Sequence, residues 1–226
     1  MDYDTLALFD LDHTLLPHDT DEQWVDFMVD AGRLDRSTFE QASHALAERY
    51  RRGEAGTIEF TEFYLSTLVP FNLDDLARWR QEFIRERIAP SISQAARDIV
   101  ARHQGLGHLV VLTSATSEWL TSPIARAFGF EHLIATQAEV KAGRFTGRIV
   151  GTPNMREGKV ERLLGWLAAR NQKFADFRES WFYSDSQNDL PLLSHVTHPV
   201  VVNPDPVLAA HARHNGWAQM TIGGPR

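Results

Sequence analysis

The sequence alternates short apolar runs with amphipathic helical patterns, except for one long stretch near the N-terminus that is helical throughout. The apolar run at residues 6–9 is typical of a buried strand. From residue 17 to residue 90 the apolar residues recur at intervals of three and four, which predicts four amphipathic helices joined by short loops. A chain of this pattern places an all-helical segment directly after its first strand.

After residue 90 the strand and helix patterns alternate. Strands are expected at 108–112, 181–183 and 200–202, a hairpin at 132–150 with its turn at 141–144, and helices at 95–103, 158–170 and 207–214. Such alternation favours a parallel sheet with helices on both faces. We therefore predict an α/β fold, a doubly wound parallel sheet. Residues 1–16 and 91–226 would form its core, and residues 17–90 an inserted all-helical cap.

Composition excludes several classes of protein. The formal net charge is −7, which argues against binding to the phosphate backbone of a nucleic acid. No apolar run approaches the roughly 20 residues of a membrane helix. The sequence has no cysteine, so disulfides and thiolate metal sites are excluded, and its acidic N-terminus is unlike a secretory signal. We expect a cytoplasmic protein without nucleic-acid or membrane partners; the oligomeric state is left open.

Polar side chains follow several of the predicted strands. They are Asp10 and Asp12 after the first strand, Thr113 and Ser114 after the second, Asp185 and Asp189 after the strand at 181–183, and Lys159 at the start of a helix. Ligands of doubly wound sheets bind at the carboxyl ends of the strands. We therefore expect these groups to meet at one edge of the sheet.

The chemistry of this set indicates a metal-assisted phosphoryl-transfer site. Crowded carboxylates repel each other unless a cation neutralises them, and oxygen ligands without cysteine suit Mg²⁺. A lysine and a hydroxyl remain to bind an anion. Asp10 could attack phosphorus and form an aspartyl-phosphate, while Asp12 could protonate the leaving oxygen and later take a proton from water.

The same residues resemble a known superfamily. DLDHT, residues 10–14, matches the DxDxT signature of the haloacid dehalogenase superfamily, and the later groups follow in the order of its other motifs. The inserted helices look like the cap of the phosphoserine-phosphatase-like subgroup. The resemblance implies that Asp10 is the nucleophile and Asp12 the general acid and base. It also implies a metal held by Asp10, the backbone carbonyl of Asp12 and Asp185, with Asp189 assisting.

For the phosphate, the resemblance implies binding by Ser114 and Lys159, with help from Asn188. The sequence departs from the pattern at two positions. Ser184 stands where glycine is frequent, and Ala115 follows Ser114 where phosphoserine phosphatases often carry glycine. The second departure weakens an assignment to phosphoserine itself.

The start of the cap carries the expectations about the substrate. Asp19 matches an acidic residue that meets the substrate amino group in phosphoserine-phosphatase-like enzymes, and His13 is expected at the cap interface, where it could contact the substrate. The stretch LLPHDTDEQW also resembles proteins often described as histidinol-phosphatases. An amine-bearing phosphomonoester is therefore expected. The aromatic stripe that includes Phe60 is interpreted as bundle core.

The sequence thus predicts a Mg²⁺-dependent phosphomonoesterase for a small phosphate ester of the histidinol phosphate or phosphoserine type. Phosphotransferase or phosphomutase chemistry on the same scaffold remains an alternative, and so does phosphonatase chemistry. Dehalogenation is disfavoured because it needs no metal. A non-catalytic phospho-acceptor module is disfavoured because it needs neither a second carboxylate such as Asp12 nor a cap.

Overall fold

Seven strands form one sheet in the computed structural model, which describes residues 3–52 and 54–223. They are β1 (Thr5–Phe9), β2 (Leu109–Ser117), β3 (His132–Lys141), β4 (Arg144–Val150), β5 (Glu179–Ser184), β6 (His198–Val202) and β7 (Ala218–Met220). Their order is β4-β3-β2-β1-β5-β6-β7, and β4 alone among them runs antiparallel to its neighbour. After the central β1, the chain forms β2, β3 and β4 on one side of the sheet, and then β5, β6 and β7 on the other side. The prediction of a doubly wound sheet is confirmed.

Nine α-helices accompany the sheet in the described part of the chain. They are α1 (Thr20–Asp30), α2 (Arg36–Arg51), α3 (Thr57–Ser66), α4 (Leu73–Phe83), α5 (Gln94–Gly105), α6 (Glu118–Phe128), α7 (Glu157–Ala169), α8 (Leu190–Leu193) and α9 (Pro206–Asn215). The first four lie between β1 and β2, as the sequence predicts. No helix formed by the described residues is long and apolar enough to cross a membrane.

The central strand β1 separates two hydrophobic clusters because its side chains alternate between the faces of the sheet. Ala7 and Phe9 belong to the cluster that also contains residues of α1, α4, α5 and α6. Leu6 and Leu8 belong to the cluster under α7, α8 and α9. All four side chains are fully buried, so β1 is held rigidly from both sides and fixes the position of whatever follows Phe9.

The inserted helices share the first cluster with the sheet. Trp24 of α1 contacts Phe83 of α4 and Trp119 of α6 through edge-to-face rings, with centroids 5.4 Å apart in each pair. Arg80 of α4 donates a hydrogen bond to the carbonyl of Trp119 and lies over its ring. These contacts join the inserted helices to the core. The division of the chain into a core and a cap, with the cap at residues 17–90, stays a prediction.

The predicted hairpin is formed by β3 and β4. Lys141 pairs with Arg144, and the two residues between them, Ala142 and Gly143, have φ of 48° and 72°. Positive φ at both central positions gives a turn whose twist matches that of the strands. The hairpin is confirmed.

Two features differ from the sequence-based expectation. The strand expected at 108–112 continues to Ser117, because its threonine- and serine-rich end still pairs with β3. The short edge strand β7 was not anticipated. It is three residues long, which is too short to show an alternating pattern.

Candidate active site

Three neighbouring strands bring the predicted groups to one edge of the sheet. Asp10 follows β1 directly, Ser114 lies near the end of β2, and Asp185 follows β5 directly. The backbone N–H of Asp10 donates to the carbonyl of Tyr183 at 2.9 Å, so the β1–β5 pairing continues to the aspartate. Because β2, β1 and β5 are adjacent, side chains that are 175 positions apart in sequence, Asp10 and Asp185, meet here.

Lys159 joins two of the buried carboxylates. Its Nζ atom lies 2.6 Å from Oδ1 of Asp10 and 2.7 Å from Oδ2 of Asp189. Ser184 donates a further hydrogen bond to the same oxygen of Asp189 at 2.7 Å. The lysine is 2% exposed, and its ammonium stands 5.5 Å from the centre of the Phe182 ring. The ammonium is therefore fixed beside Asp10 rather than extended into solvent.

The loop before α7 explains how this lysine reaches the site. A Cβ atom at Gly158 would lie 2.1 Å from the backbone carbonyl oxygen of Pro153, so only glycine fits there. The same loop is tied to the sheet by Asn154, whose Nδ2 lies 2.9 Å from both Thr113 Oγ1 and the carbonyl of Ser114. Close packing of this loop places the first turn of α7, and with it Lys159, against β1.

The electrostatics of the pair follow from burial and crowding. The pKa of Asp10 is raised well above its ordinary value by burial; Lys159 opposes this effect, and the nearby carboxylates Asp189, Asp185 and Asp12 add to it. For Lys159 burial lowers the pKa, but Asp10 and Asp189 outweigh it, so that its pKa is raised and the ammonium stays charged. The site is thus a crowded set of carboxylates that additional positive charge would stabilise.

Thr14 brings Asp10 and Asp185 together. Its Oγ1 atom lies 3.2 Å from Oδ2 of Asp10 and 3.2 Å from Oδ1 of Asp185. Among the described residues no group of three or more His, Cys, Asp or Glu side chains is placed to hold a metal ion. Two adjacent buried carboxylates nevertheless fit Mg²⁺, which is usually held by one or two carboxylates together with substrate phosphate and water.

The carboxylate of Asp12 lies between the start of α1 and the end of β2. Oδ1 accepts hydrogen bonds from the backbone N–H of Thr20, at 2.8 Å, and from its hydroxyl. Oδ2 lies 2.9 Å from Oγ1 of Thr116 and 3.4 Å from Oγ of Ser114. Burial, with a smaller contribution from Asp19, raises the pKa of Asp12 to about 6, against the opposing hydrogen bonds of Thr20 and Thr116. A carboxyl group with this pKa can both give and take a proton near neutrality.

A cavity of about 160 Å³ opens beside these groups. Its walls include Asp10, Asp12, His13, Asp19, Lys159, Asp185, Asn188 and Asp189 from the predicted set, and Asp21, Phe60, Thr61, Tyr64, Ala115, Thr116, Met155 and Ser186 besides. Ser114 is fully buried next to Asp12, whereas its neighbours Ala115 and Thr116 line the cavity. Eight of the nine predicted site residues therefore lie in the wall, and Ser114 lies just behind it.

The residues at the mouth also have defined partners. Asp19 is the N-cap of α1, accepting from the N–H of Glu22 at 2.9 Å, and burial raises its pKa to about 6. Asn188 accepts a hydrogen bond from Nε of Arg156 at 3.2 Å. His13 has a positive φ of 56°, a conformation that turns the chain sharply after Asp12.

Several residues of the site were not predicted from the sequence. Thr14 is part of the quoted DLDHT stretch, so the signal for it was present. Gly158 precedes Lys159, but only the contact with Pro153 reveals why glycine stands there. Phe60, interpreted as bundle core, lines the cavity instead, together with Tyr64. An apolar pattern of helical period shows which side chains share one face of a helix. It does not show which part of that face lies beside a cavity.

The chain is similar to several known proteins. The model of the haloacid dehalogenase-like hydrolase family matches residues 7–194. A protein of Neisseria meningitidis named histidinol-phosphatase is 38% identical over 213 residues, covering 94% of this chain and 96% of its own.

Two solved structures extend the comparison to the fold. A protein of unknown function from Bordetella pertussis is 48% identical, with a TM-score of 0.92, covering 96% of this chain and 98% of its own. A phosphoserine phosphatase described as a phospho-aspartyl intermediate analogue is 17% identical, with a TM-score of 0.67, covering 100% of this chain and 95% of its own. At that identity the likeness concerns the fold alone.

Proposed function

Because the chain belongs to the haloacid dehalogenase-like hydrolase family, we propose that it hydrolyses small phosphate monoesters, with Asp10 as the nucleophile. The prediction of a phosphatase is confirmed at the level of the family and its named relatives; substrate and mechanism are our proposal. The observation that carries the mechanism is the contact of Lys159 with Asp10 and Asp189 at the carboxyl end of β1. This contact holds the Asp10 carboxylate and the Lys159 ammonium so close together that one phosphate group can contact both.

In the first step an oxygen of Asp10 attacks phosphorus, and the bond between phosphorus and the ester oxygen breaks. Asp12 gives a proton to the departing oxygen, a role supported by its position in the cavity wall and its pKa of about 6. Lys159 orients Asp10 and offers its charge to the phosphoryl oxygens. The products of this step are the alcohol and a phosphorylated Asp10.

In the second step a water molecule attacks the phosphorylated Asp10. Asp12, now a carboxylate, takes the proton of that water, and the bond between phosphorus and Asp10 breaks to release inorganic phosphate. Thr20 and Thr116 hold the Asp12 carboxylate in the same place for both steps. Each turnover therefore returns both aspartates to their starting states.

The donor set supports Mg²⁺ as the cofactor. Asp10 and Asp185, held together by Thr14, would bind the ion with the backbone carbonyl of Asp12. When bound, Mg²⁺ neutralises charge on the carboxylates and on the phosphate. Asp189 contacts Lys159 and Ser184, so we assign it an indirect part, which is to hold the lysine.

The rest of the cavity supports a small, amine-bearing ester. Its volume of about 160 Å³ suits a small molecule, and Asp19 offers a carboxylate to a substrate ammonium group. The relative named histidinol-phosphatase supports a substrate of this type. The cytoplasmic location stays a prediction.

The assay that tests this function measures inorganic phosphate released from a panel of phosphomonoesters, headed by histidinol phosphate and phosphoserine. We expect turnover with Mg²⁺, loss of turnover with a chelator, and loss of turnover in Asp10→Asn. Asp98→Asn is the matched control, since Asp98 lies on α5 and bonds Gln94 at the surface. Normal turnover by Asp10→Asn would reject the proposed nucleophile.

A further inference from the structure

Asn188 is the one side-chain amide in the cavity wall that the described residues form. It stands three positions after Asp185, and its backbone N–H donates to Oγ of Ser186 at 3.2 Å, which holds this turn at the end of the cavity where the phosphate would bind. An amide can present either its oxygen or its two N–H donors to a ligand. Only the donors suit a phosphate, whose oxygens are acceptors.

The orientation of the Asn188 amide follows from its contact with Arg156. Nε of Arg156 donates to Oδ1 of Asn188 at 3.2 Å. A guanidinium nitrogen is only ever a donor, so the atom opposite it must be the amide oxygen and not the amide nitrogen. The contact therefore leaves the two N–H donors of Asn188 for an anion, and the positive charge of the guanidinium strengthens them by polarising the amide.

The backbone of Arg156 has a conformation that arginine seldom adopts. The N–H of Gly158 donates to the carbonyl of Met155 at 2.9 Å, which closes a four-residue turn with Arg156 at its second position. Arg156 has φ of 53° and ψ of −127°, the values of a type II′ turn, where glycine is preferred because a Cβ atom is strained. Arginine destabilises this turn relative to glycine, which indicates that its side chain has a role that offsets the strain.

Arg156 reaches the site through its neighbours. The cavity wall formed by the described residues includes Met155 and Asn188 but not Arg156, which is half-buried. The carbonyl of Arg156 accepts a hydrogen bond from the N–H of Lys159 at 3.1 Å, so the turn that carries the arginine also begins the helix of the lysine. One turn thus aligns two groups from separate segments that we expect to bind phosphate, the ammonium of Lys159 and the amide of Asn188.

We propose that Arg156 is a positioning residue for phosphate binding, which holds the Asn188 amide with its N–H donors towards the phosphate and does not itself contact the substrate. This inference rests on the proposed phosphatase function and adds a residue to it. Because every phosphate monoester presents the same phosphoryl oxygens, the effect of Arg156 does not depend on the alcohol part of the substrate. It extends to inorganic phosphate, the product.

The test is a cycle of variants at the two positions, Arg156→Met, Asn188→Ala and the double variant. Each is assayed with Mg²⁺ for kcat/KM on p-nitrophenyl phosphate and on the best ester of the panel, and for competitive inhibition by inorganic phosphate. We expect each single variant to lower kcat/KM about tenfold and to raise the inhibition constant by a similar factor, the size of one hydrogen bond to a charged group. The double variant should be no worse than Asn188→Ala, because Arg156 then has no amide to orient.

Two further variants separate positioning from stability. Arg170→Met is the matched control, since Arg170 directly follows α7 and its Nε donates to the amide oxygen of Gln172 at 3.3 Å on the surface. Its kinetics should equal those of wild type. Arg156→Gly removes the side chain but suits the positive φ, so it should unfold at a temperature equal to or above that of wild type while losing as much activity as Arg156→Met.

The possible results separate this inference from the proposed function. If wild-type protein with Mg²⁺ hydrolyses neither p-nitrophenyl phosphate nor any ester of the panel, the proposed function is wrong and the inference falls with it. If wild type is active but the Arg156 variants keep full activity, or if Arg156→Met costs as much in the Asn188→Ala background as alone, the inference alone is wrong. A large loss of thermal stability in Arg156→Gly also overturns it, since arginine would then be kept for the fold. Should Arg156→Met fail to fold, Arg156→Gly takes its place in the cycle.

Discussion

The ammonium of Lys159 lies 2.6 Å from the carboxylate of Asp10, although 149 positions separate the two residues. Both side chains are buried, at 2% and 7% exposure, and Asp189 is the second partner of the lysine. The contact joins β1 to α7 and places opposite charges at the carboxyl end of the central strand. Stability and activity therefore depend on the same side chains.

Replacing the lysine should destabilise the fold. Lys159→Met leaves Asp10 and Asp189 buried without their ammonium, and removing one partner of a buried pair costs about 3–5 kcal/mol. We expect the free energy of unfolding in urea, measured with chelator present, to fall by that amount. Lys141→Met is the control, since Lys141 is 72% exposed and its pair with Glu139 contributes about 0–1 kcal/mol. Equal stability of wild type and Lys159→Met would show that the buried contact does not form.

Two glycines of α7 should respond in opposite ways to alanine. Gly158→Ala drives a methyl group into the carbonyl of Pro153, so the loop must move, and Lys159 with it. We expect loss of stability by about 1–3 kcal/mol and loss of most phosphatase activity. Gly165→Ala meets nothing within 4 Å, and should raise stability by about 0.5–1 kcal/mol with activity unchanged. Thermal unfolding measures the stability of both variants, and phosphate release measures their activity. A Gly158→Ala variant as stable and as active as wild type would contradict the proposed packing.

The cost of removing Asp12 should depend on the leaving group. If Asp12 protonates the departing oxygen, Asp12→Asn lowers kcat/KM for alkyl phosphates by about 10²–10⁴-fold. It lowers kcat/KM for p-nitrophenyl phosphate much less, because kcat/KM reports the steps up to departure of the alcohol and p-nitrophenolate needs little protonation. With a pKa of about 6 the carboxyl group loses its proton as pH rises. Wild-type kcat/KM for alkyl phosphates should therefore fall above that pH, and the variant should lack this fall. Equal losses of kcat/KM on both kinds of ester would exclude the acid role.

Stability should depend on pH through His103. This buried side chain contacts His108 and Tyr183, and burial lowers its pKa from 6.5 to about 4, with smaller effects of His108 and Arg102. Between these values the unfolded chain binds a proton that the folded protein does not, so the free energy of unfolding decreases as pH falls from 6.5 to 4. The shift corresponds to at most about 3 kcal/mol.

The His103→Gln variant isolates this effect from the acidic groups. The raised pKa values of Asp12 and Asp19 act in the opposite direction, because the folded protein holds their protons more firmly. We therefore expect the free energy of unfolding, measured in urea at pH 7.5 and at pH 5, to decrease more between these pH values for wild type than for His103→Gln. Identical pH dependence in the two proteins would mean that His103 titrates normally in the folded state.

The sheet and most of the site follow from local sequence patterns. Asp10 and Asp185 come directly after buried apolar strands, and the parallel order of such strands places their ends together. The hairpin was predictable as well, because Gly143 permits the positive φ that its turn requires. In each case the signal lies within a few residues of the feature.

The remaining features depend on contacts between distant segments. Glycine is required at position 158 because the carbonyl of Pro153, five positions earlier, packs against it. Helix and turn propensities carry no information about this contact. Asp21 reads as an ordinary acidic residue in the first turn of a helix until Thr116 is found beside it. Phe60 reads as bundle core until α3 is placed over the cavity. Tertiary packing, rather than periodicity, decides these roles.

The most direct test of the mechanism is to look for the phosphoryl group on the protein. Wild-type protein is mixed with Mg²⁺ and a hydrolysed phosphomonoester, quenched in acid during turnover, digested and analysed by mass spectrometry. We expect the added mass of one phosphoryl group on the peptide that contains Asp10, and its absence in Asp10→Asn. A phosphoryl group on another residue, or continued turnover with Asp10 never modified, would contradict it.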